Sequence, residues 1–222
     1  MSGLLSRAPL TRTLLIAIGL VFLGEVFGPR VDGESLLVLL GASAAEPVLA
    51  GQVWRLATAM FLHAGVVHLL VNGWALYQLG GLVEVLFGSS RLAAIYFTAG
   101  LAGSLASVAW DLVSGSSVPS VGASGAIFGL LGALIAFLLR HRDRLRPEAR
   151  SLLLQLLFWA GINIVFGFTT PMIDNAAHLG GFAAGLAIGS SGGLFQPPSP
   201  QERGPAGAPP PSPGPSAPHT RP

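Results

Sequence analysis

Six long apolar stretches, separated by short polar segments, constrain this chain more than any other feature of its sequence. A helix needs about 20 residues to cross a bilayer, and the fourth stretch is the shortest of the six. The stretches are residues 10–27, 66–87, 92–113, 124–139, 151–168 and 174–191. Only 10% of the 222 residues are charged, against about 25% in soluble domains. The sequence therefore predicts an all-α membrane protein with six transmembrane helices.

The arginines predict how this bundle is oriented. The chain has no lysine, and with both termini inside, ten of its 12 basic residues fall on the inner side. The two on the outer side are Arg30 and Arg55, whereas residues 140–150 alone carry five. This asymmetry fits the positive-inside rule. It predicts a multi-pass protein with cytoplasmic termini, and the Ala/Gly-rich composition points to the inner membrane of a bacterium. Arginines at helix ends argue against a nucleic-acid partner.

The segments outside the apolar stretches predict the domain organisation. Residues 28–65 mix apolar and acidic side chains, so we expect this first outer loop to lie inserted in the membrane interface. Residues 192–222 are rich in Pro, Gly and Ser, which predicts a disordered cytoplasmic tail. Residues 1–191 then form one transmembrane domain. The first stretch lacks a clean cleavage site, so we interpret it as a retained span and not as a signal peptide.

Four polar side chains inside the apolar stretches are candidates for function, because polar groups in lipid are expensive. They are His68 and Asn72 in the second stretch, Ser124 at the start of the fourth and His178 in the sixth. His68 and Asn72 are four residues apart, so they share one helix face. Neither has an obvious partner nearby in the sequence.

Glycines predict that the fourth and sixth stretches approach each other closely. The fourth contains Gly125, Gly129 and Gly132, and the sixth contains Gly181 and Gly185 on the same face as His178. Small residues at such spacing let helix backbones pack tightly. This approach would bring the imidazole of His178 near Ser124, where it could take the proton of the hydroxyl.

Each of these features also has a simpler interpretation. Ser124 could be an ordinary helix N-cap, His68 and Asn72 could be interhelical hydrogen-bonding groups, and the glycines could serve packing alone. The combination of all of them in one chain is what favours a catalytic site.

Several spaced motifs resemble those of the rhomboid intramembrane serine proteases. Gly122-Ala123-Ser124-Gly125 is similar to the G-x-S-G nucleophile motif of that family, and residues 177–185 are similar to its A-H-x-x-G-x-x-x-G motif. His63, His68 and Asn72 match the H-x-x-x-x-H-x-x-x-N motif of the family, and Trp54 and Arg55 match its W-R pair. Gly81-Leu82-Val83-Glu84 resembles its G-x-x-x-E stretch, with one residue fewer between the glycine and the acid. The resemblance covers about residues 10–191.

This resemblance implies a role for each matching residue. Ser124 would be the nucleophile and His178 its base, while Asn72, His68 and the backbone N–H of Ser124 would stabilise the oxyanion. Phe128 stands where many family members have Tyr, and its ring would stack on His178. The remaining matches would support the site (Gly122, Gly125) or the scaffold (Trp54, Arg55, His63, Glu84, Gly181, Gly185).

The implied activity is cleavage of transmembrane segments of other membrane proteins, with no metal, ATP or organic cofactor. Asp174 could be the third member of a triad, but its place at the start of a span favours an N-cap or solvation on the loop side. His63 and His68 are five residues apart, which is not the spacing that metal capture on a helix favours. A channel or transporter would need a charged pathway, and it is disfavoured because the spans offer almost no carboxylates apart from Asp111, Asp174 and Glu84, all near span ends. The main alternative is a relative that binds membrane segments without cutting them.

Overall fold

The protein, seen in a computed structural model that describes residues 2–115, 118–170 and 173–191, is mainly helical. The α-helices are α1 Ser2–Leu5, α2 Pro9–Phe27, α3 Leu36–Gly41, α4 Ala45–Leu49, α5 Arg55–Thr58, α6 Val66–Ala75, α7 Gly81–Phe87, α8 Ser89–Ser114, α9 Ser124–Arg140, α10 Pro147–Thr169 and α11 Asn175–Ser190. Strands β1 (Arg30–Val31) and β2 (Glu34–Ser35) form an antiparallel hairpin. The predicted disordered tail, residues 192–222, lies outside the described residues.

The helical membrane fold predicted from the sequence is confirmed. Among the described residues, four helical runs are long and apolar enough to cross a membrane, and they are Pro9–Phe27, Val66–Phe87, Ser89–Ser114 and Pro147–Thr169. The second of these is continuous because a π-helical segment, Leu76–Gly80, joins α6 to α7. Helix α9 is apolar but has only 17 residues, and α11 has 16. Each predicted stretch corresponds to a helix, while a total of six membrane crossings stays a prediction.

Helix α9 forms the centre of the bundle. Most of its residues are buried, including Leu130, Leu134 and Ile135, and they face several directions around the helix. A helix that is apolar on all sides is stable only when other elements surround it. Helices α8, α10 and α11 pack against α9, so its first residue is held in place by its neighbours.

Helices α9 and α11 pack backbone against backbone through glycine. A β-carbon placed on Gly181 would collide with the carbonyl group of Gly125, and one on Gly185 would collide with that of Gly129. On the opposite helix, a β-carbon on Gly132 would meet the carbonyl of Phe182. These positions tolerate no side chain, which is the arrangement that small residues make possible in membrane helices.

The buried carboxylate of Glu84 ties α7 to the start of α2. It accepts hydrogen bonds from the backbone N–H groups of Leu10 (2.8 Å) and Thr11 (2.7 Å) and from the hydroxyls of Thr11 (2.8 Å) and Ser89 (2.6 Å). The first N–H groups of a helix have no partner within the helix, and a carboxylate is well suited to bind them. Glu84 therefore secures the N-terminus of α2.

The segment between α2 and α6, named the outer segment after the side of the membrane that the sequence predicts for it, holds the chain that leads into α9. Ser43 and Ser120 exchange two backbone hydrogen bonds of 3.0 and 2.7 Å, and the N–H of Gly122 donates to the carbonyl of Ala59 at 2.8 Å. Gly122 has φ +127°, a conformation that favours glycine over all other residues. The location of this segment in the membrane interface stays a prediction.

Replacement of Gly185 by alanine should destabilise the bundle, because the new methyl group would collide with the backbone of Gly129. Overpacking of this kind costs about 1–3 kcal/mol. Thermal unfolding of the purified protein in detergent micelles would show a lower midpoint. Gly161 on α10 is the matched control, since nothing lies within 4 Å of a β-carbon placed there. Equal midpoints for Gly185→Ala and Gly161→Ala would contradict the close packing of α9 and α11.

Candidate active site

Ser124 is the first residue of α9, and its hydroxyl does not cap the helix. The N-cap position is Ala123, where no side chain bonds the backbone. The interpretation of Ser124 as an N-cap is therefore wrong. The next residue, Gly125, is buried against α11, where a β-carbon placed on it would lie 3.3 Å from the carbonyl oxygen of Ala177.

Ser124 and His178 form a hydrogen-bonded pair. The Oγ atom of Ser124 lies 2.8 Å from Nε2 of His178, and both residues are half-buried. His178 lies on α11 one turn before Gly181, which touches Gly125. The two functional groups are therefore brought together by the same backbone contact that joins their helices. A serine hydroxyl and an imidazole at this distance can exchange a proton.

Phe128 fixes the plane of the His178 ring. The two rings are stacked with centroids 4.3 Å apart and an interplanar angle of 14°. Phe128 lies one turn after Ser124, so α9 presents both the hydroxyl and the ring to the imidazole. The Nδ1 atom of His178 is buried and, among the described residues, has no hydrogen-bond partner. Stacking on Phe128 and the bond to Ser124 are thus the contacts that orient this ring.

Asp174 caps α11, as predicted. Its Oδ1 atom accepts the backbone N–H of Ala177 at 2.9 Å, which is the usual N-cap geometry. Within the described ranges, Asp174 makes no side-chain hydrogen bond to His178. The hydrogen-bonded pair therefore has two members and not three.

Asn72 and His68 have local partners, contrary to expectation. The Asn72 amide donates to the carbonyl of His68 at 2.9 Å, and Nδ1 of His68 accepts the N–H of Ala64 at 3.3 Å. The ring of His68 lies against Gly122, since a β-carbon there would be 2.9 Å from Nε2 and 3.7 Å from Oγ of Ser124. His68 thus borders residues 118–123, the loop that leads into the proposed nucleophile Ser124 (the nucleophile loop). In the described chain, neither residue is hydrogen-bonded to Ser124.

His63 is buried beside His68, with ring centroids 5.1 Å apart. Burial, and to a smaller extent the neighbouring His68, lower the pKa of His63 to about 4, so the ring is neutral at pH 7. The backbone N–H of His63 donates to the carboxylate of Glu25 at 3.0 Å, and Glu25 is not among the predicted site residues. The signal was available, because Glu25 is a carboxylate inside the first apolar stretch. The prediction that the spans hold almost no carboxylates apart from Asp111, Asp174 and Glu84 did not include Glu25, which is buried in α2.

Arg55 and Trp54 brace the outer segment. The Arg55 guanidinium is buried and donates to the carbonyls of Ala42 (2.8 Å) and Leu39 (2.7 Å) and to the side chain of Gln52 (2.8 Å). The indole N–H of Trp54 donates to the carbonyl of Leu40 at 3.1 Å. These bonds satisfy carbonyls at the C-terminal end of α3. The acceptors of these hydrogen bonds all lie in the outer segment, and none belongs to the Ser124–His178 pair.

Comparison with known proteins connects this geometry to a family. The sequence model of the Rhomboid domain matches residues 50–193. Rhomboid protease GluP of Bacillus subtilis is 39% identical over 182 residues, which is 82% of this chain and 34% of that protein. RHOMBOID-like protein 5 of Arabidopsis thaliana is 40% identical over 187 residues, 84% of this chain and 55% of the relative. Inactive RHOMBOID-like protein 8 of the same plant is 34% identical over 131 residues.

The apolar helices and the glycine-packed bundle define a helical integral membrane protein. The chain belongs to the rhomboid family, and the resemblance seen in the sequence is confirmed. The matched part of this chain spans 34% of the length of GluP and 55% of the length of RHOMBOID-like protein 5. The matched region includes both Ser124 and His178.

Arg55→Lys should destabilise the outer segment, because an ammonium group cannot reproduce the fork of donors that holds two carbonyls and Gln52. We expect a loss of about 2 kcal/mol, measured as a lower thermal midpoint in detergent. Arg30→Lys is the control, since Arg30 is exposed and its guanidinium donates to the carbonyls of Gly33 in the hairpin and Glu25 in α2. If both variants unfold at the wild-type temperature, the bonds of Arg55 do not contribute to stability.

Proposed function

We propose that this protein is an intramembrane serine endopeptidase that cleaves transmembrane segments of other membrane proteins. The observation that carries the proposal is the 2.8 Å contact between Oγ of Ser124 and Nε2 of His178. A hydroxyl paired with a histidine base is the arrangement used for nucleophilic attack on carbonyl groups. Membership of the rhomboid family and the protease name of GluP support the same reaction.

In the proposed reaction, Oγ of Ser124 attacks the scissile carbonyl carbon while Nε2 of His178 takes the hydroxyl proton. The tetrahedral intermediate then expels the amine, which receives that proton from His178, and an acyl ester remains on Ser124. Water attacks the ester with His178 again as the base, which releases the acid and restores the serine. No metal or organic cofactor takes part in this sequence of steps.

The negative charge on the carbonyl oxygen requires donors that are already in place. We assign this role to the Asn72 amide, to Nε2 of His68 and to the backbone N–H of Ser124. One N–H of the Asn72 amide bonds the carbonyl of His68, which leaves its second N–H to donate. Ser124 begins α9, so its N–H belongs to the group of amides that lack partners within the helix. Asn72 is only 4% exposed, so a bond there would be shielded from water.

A family member that binds membrane segments without cutting them is the main alternative, since one Arabidopsis relative is named inactive. The paired Ser124 and His178 argue against it here. A binding protein has no need of a nucleophile, of its base, or of the Phe128 ring stacked on that base.

The proposed topology places the reaction near the outer side of the membrane. Six helices would cross with both termini in the cytoplasm, in the inner membrane of a bacterium, and the outer loop 28–65 would lie partly inserted. Because α9 has only 17 residues, Ser124 would lie below the outer surface, in a cavity reached by water. A substrate would present an extended strand there, with a small residue at the cleavage site and helix-destabilising neighbours.

Ser124→Ala and His178→Ala should each abolish cleavage, because the first removes the nucleophile and the second removes its base. Detergent-purified protein would be incubated with a model transmembrane substrate, and the products would be separated on a gel. A fluorophosphonate should label the wild type at Ser124. Ser151→Ala is the control, because Ser151 is an exposed serine on α10. Cleavage that survives Ser124→Ala would overturn the proposal.

Asn72→Ala should lower kcat by about 100- to 1000-fold through the loss of one oxyanion donor, with little change in KM. Asn163→Ala provides a matched control on α10. Asn163 makes the same type of bond as Asn72, from its amide to the carbonyl four residues earlier (2.8 Å), but it is exposed and lies on another helix. If the two variants lose activity equally, Asn72 does not act on the oxyanion.

A further inference from the structure

Glu25 is a buried carboxylate close to the C-terminal end of α2. It is 5% exposed, and its Oε1 and Oε2 atoms lie 3.0 and 3.3 Å from the backbone nitrogen of His63. An ionisable side chain within an apolar helix that could cross a membrane needs a partner or a function. Within the part of the chain that the structure describes, the hydrogen-bond partner of this carboxylate is the backbone N–H of His63, 38 residues away in the turn that precedes α6.

The next amide in the same turn determines the state of a proposed catalytic group. The N–H of Ala64 donates to Nδ1 of His68 at 3.3 Å. A neutral imidazole has one donor and one acceptor nitrogen. Because Nδ1 accepts, the hydrogen of the neutral ring lies on Nε2. The two successive amides of His63 and Ala64 therefore bind Glu25 and His68 respectively.

The Nε2 atom of His68 lies on the side of the nucleophile. A β-carbon on Gly122 would be 2.9 Å from this nitrogen and 3.7 Å from Oγ of Ser124. The ring is also held from a second direction by the ring of His63, at a centroid distance of 5.1 Å and an interplanar angle of 62°. The hydrogen on Nε2 of His68 therefore lies beside the nucleophile loop that leads into Ser124.

We infer that Glu25 is a positioning residue for His68. By binding the N–H of His63, it fixes the turn that aims the N–H of Ala64 at Nδ1, and this keeps a hydrogen on Nε2 beside the nucleophile loop. The catalytic consequence rests on the proposed protease function, whereas the tautomer of His68 can be measured without it. The carboxylate of Glu25 binds the His63 N–H and is not hydrogen-bonded to Ser124 or His178 in the described residues.

Two substitutions separate the acceptor role of Glu25 from its bulk. Glu25→Gln retains an oxygen that can accept the His63 N–H, whereas Glu25→Met has a similar volume but no such oxygen. Thr11→Val is the matched control at the other end of α2, where it removes the hydroxyl bond to Glu84 (2.8 Å). The three variants and the wild type would be labelled with ¹⁵N-histidine in detergent micelles. The His68 signals would be assigned by their loss in His68→Ala.

The wild type and Glu25→Gln should show His68 with hydrogen on Nε2 and none on Nδ1. Glu25→Met should show a mixture of His68 tautomers. With the model substrate, its kcat should fall by about 10- to 100-fold at unchanged KM, a smaller loss of rate than the removal of an oxyanion donor causes. Thr11→Val should unfold at a lower temperature but keep the wild-type tautomer and kcat.

The inference is overturned by hydrogen on Nδ1 of His68 in the wild type, which can be observed even if Glu25→Met does not fold. It is equally overturned if Glu25→Gln behaves like Glu25→Met, or if Glu25→Met keeps both the wild-type tautomer and the wild-type kcat. A wild type that cuts nothing but shows the expected tautomer would refute the protease proposal and leave the positioning of His68 by Glu25 intact.

Discussion

The backbone contact between α9 and α11 is the interaction on which the rest of the structure depends. Gly181 and Gly185 lie directly on the carbonyls of Gly125 and Gly129, so the helices approach more closely than any side chain would allow. Lipid gives helices no hydrophobic reason to associate, and close packing supplies the attraction instead. Because His178 precedes Gly181 by one turn, the same contact sets its distance to Ser124.

A second constraint acts at the start of α9, where the outer segment holds the nucleophile loop. Backbone bonds from Ser43 and Ala59 fix the chain at Ser120 and Gly122, and the outer segment is in turn braced by Arg55. Irregular backbone at membrane depth is tolerated where the protein satisfies its polar groups. Ser124 can therefore begin a helix without its hydroxyl being needed as a cap, and this hydroxyl is left for His178.

Buried carboxylates perform a similar task at both ends of α2. Glu84 binds the first amides of the helix, and Glu25, near the last turn, binds the amide of His63. In each case the acid satisfies backbone donors that the apolar surroundings cannot. Helix α2 is thereby fixed to α7 at one end and to the turn before α6 at the other. This turn places His68 relative to the nucleophile loop.

The amino-acid sequence by itself determined the helical membrane fold, the positions of the helices and the family, because apolar length and the spacing of small and polar residues are local properties. It also predicted that Asp174 caps α11. Other features were not predicted from the sequence. The prediction of residues 28–65 as an interfacial loop did not include the hairpin at Asp32 and Gly33, both of which have positive φ. This hairpin had a local signal in the sequence. The bonds of Glu25 to His63 and of Ser43 to Ser120 join residues far apart in the chain, and no local signal in the sequence predicts these pairings. Only the tertiary structure decided them, since a buried polar group takes whichever partner the packing brings within reach.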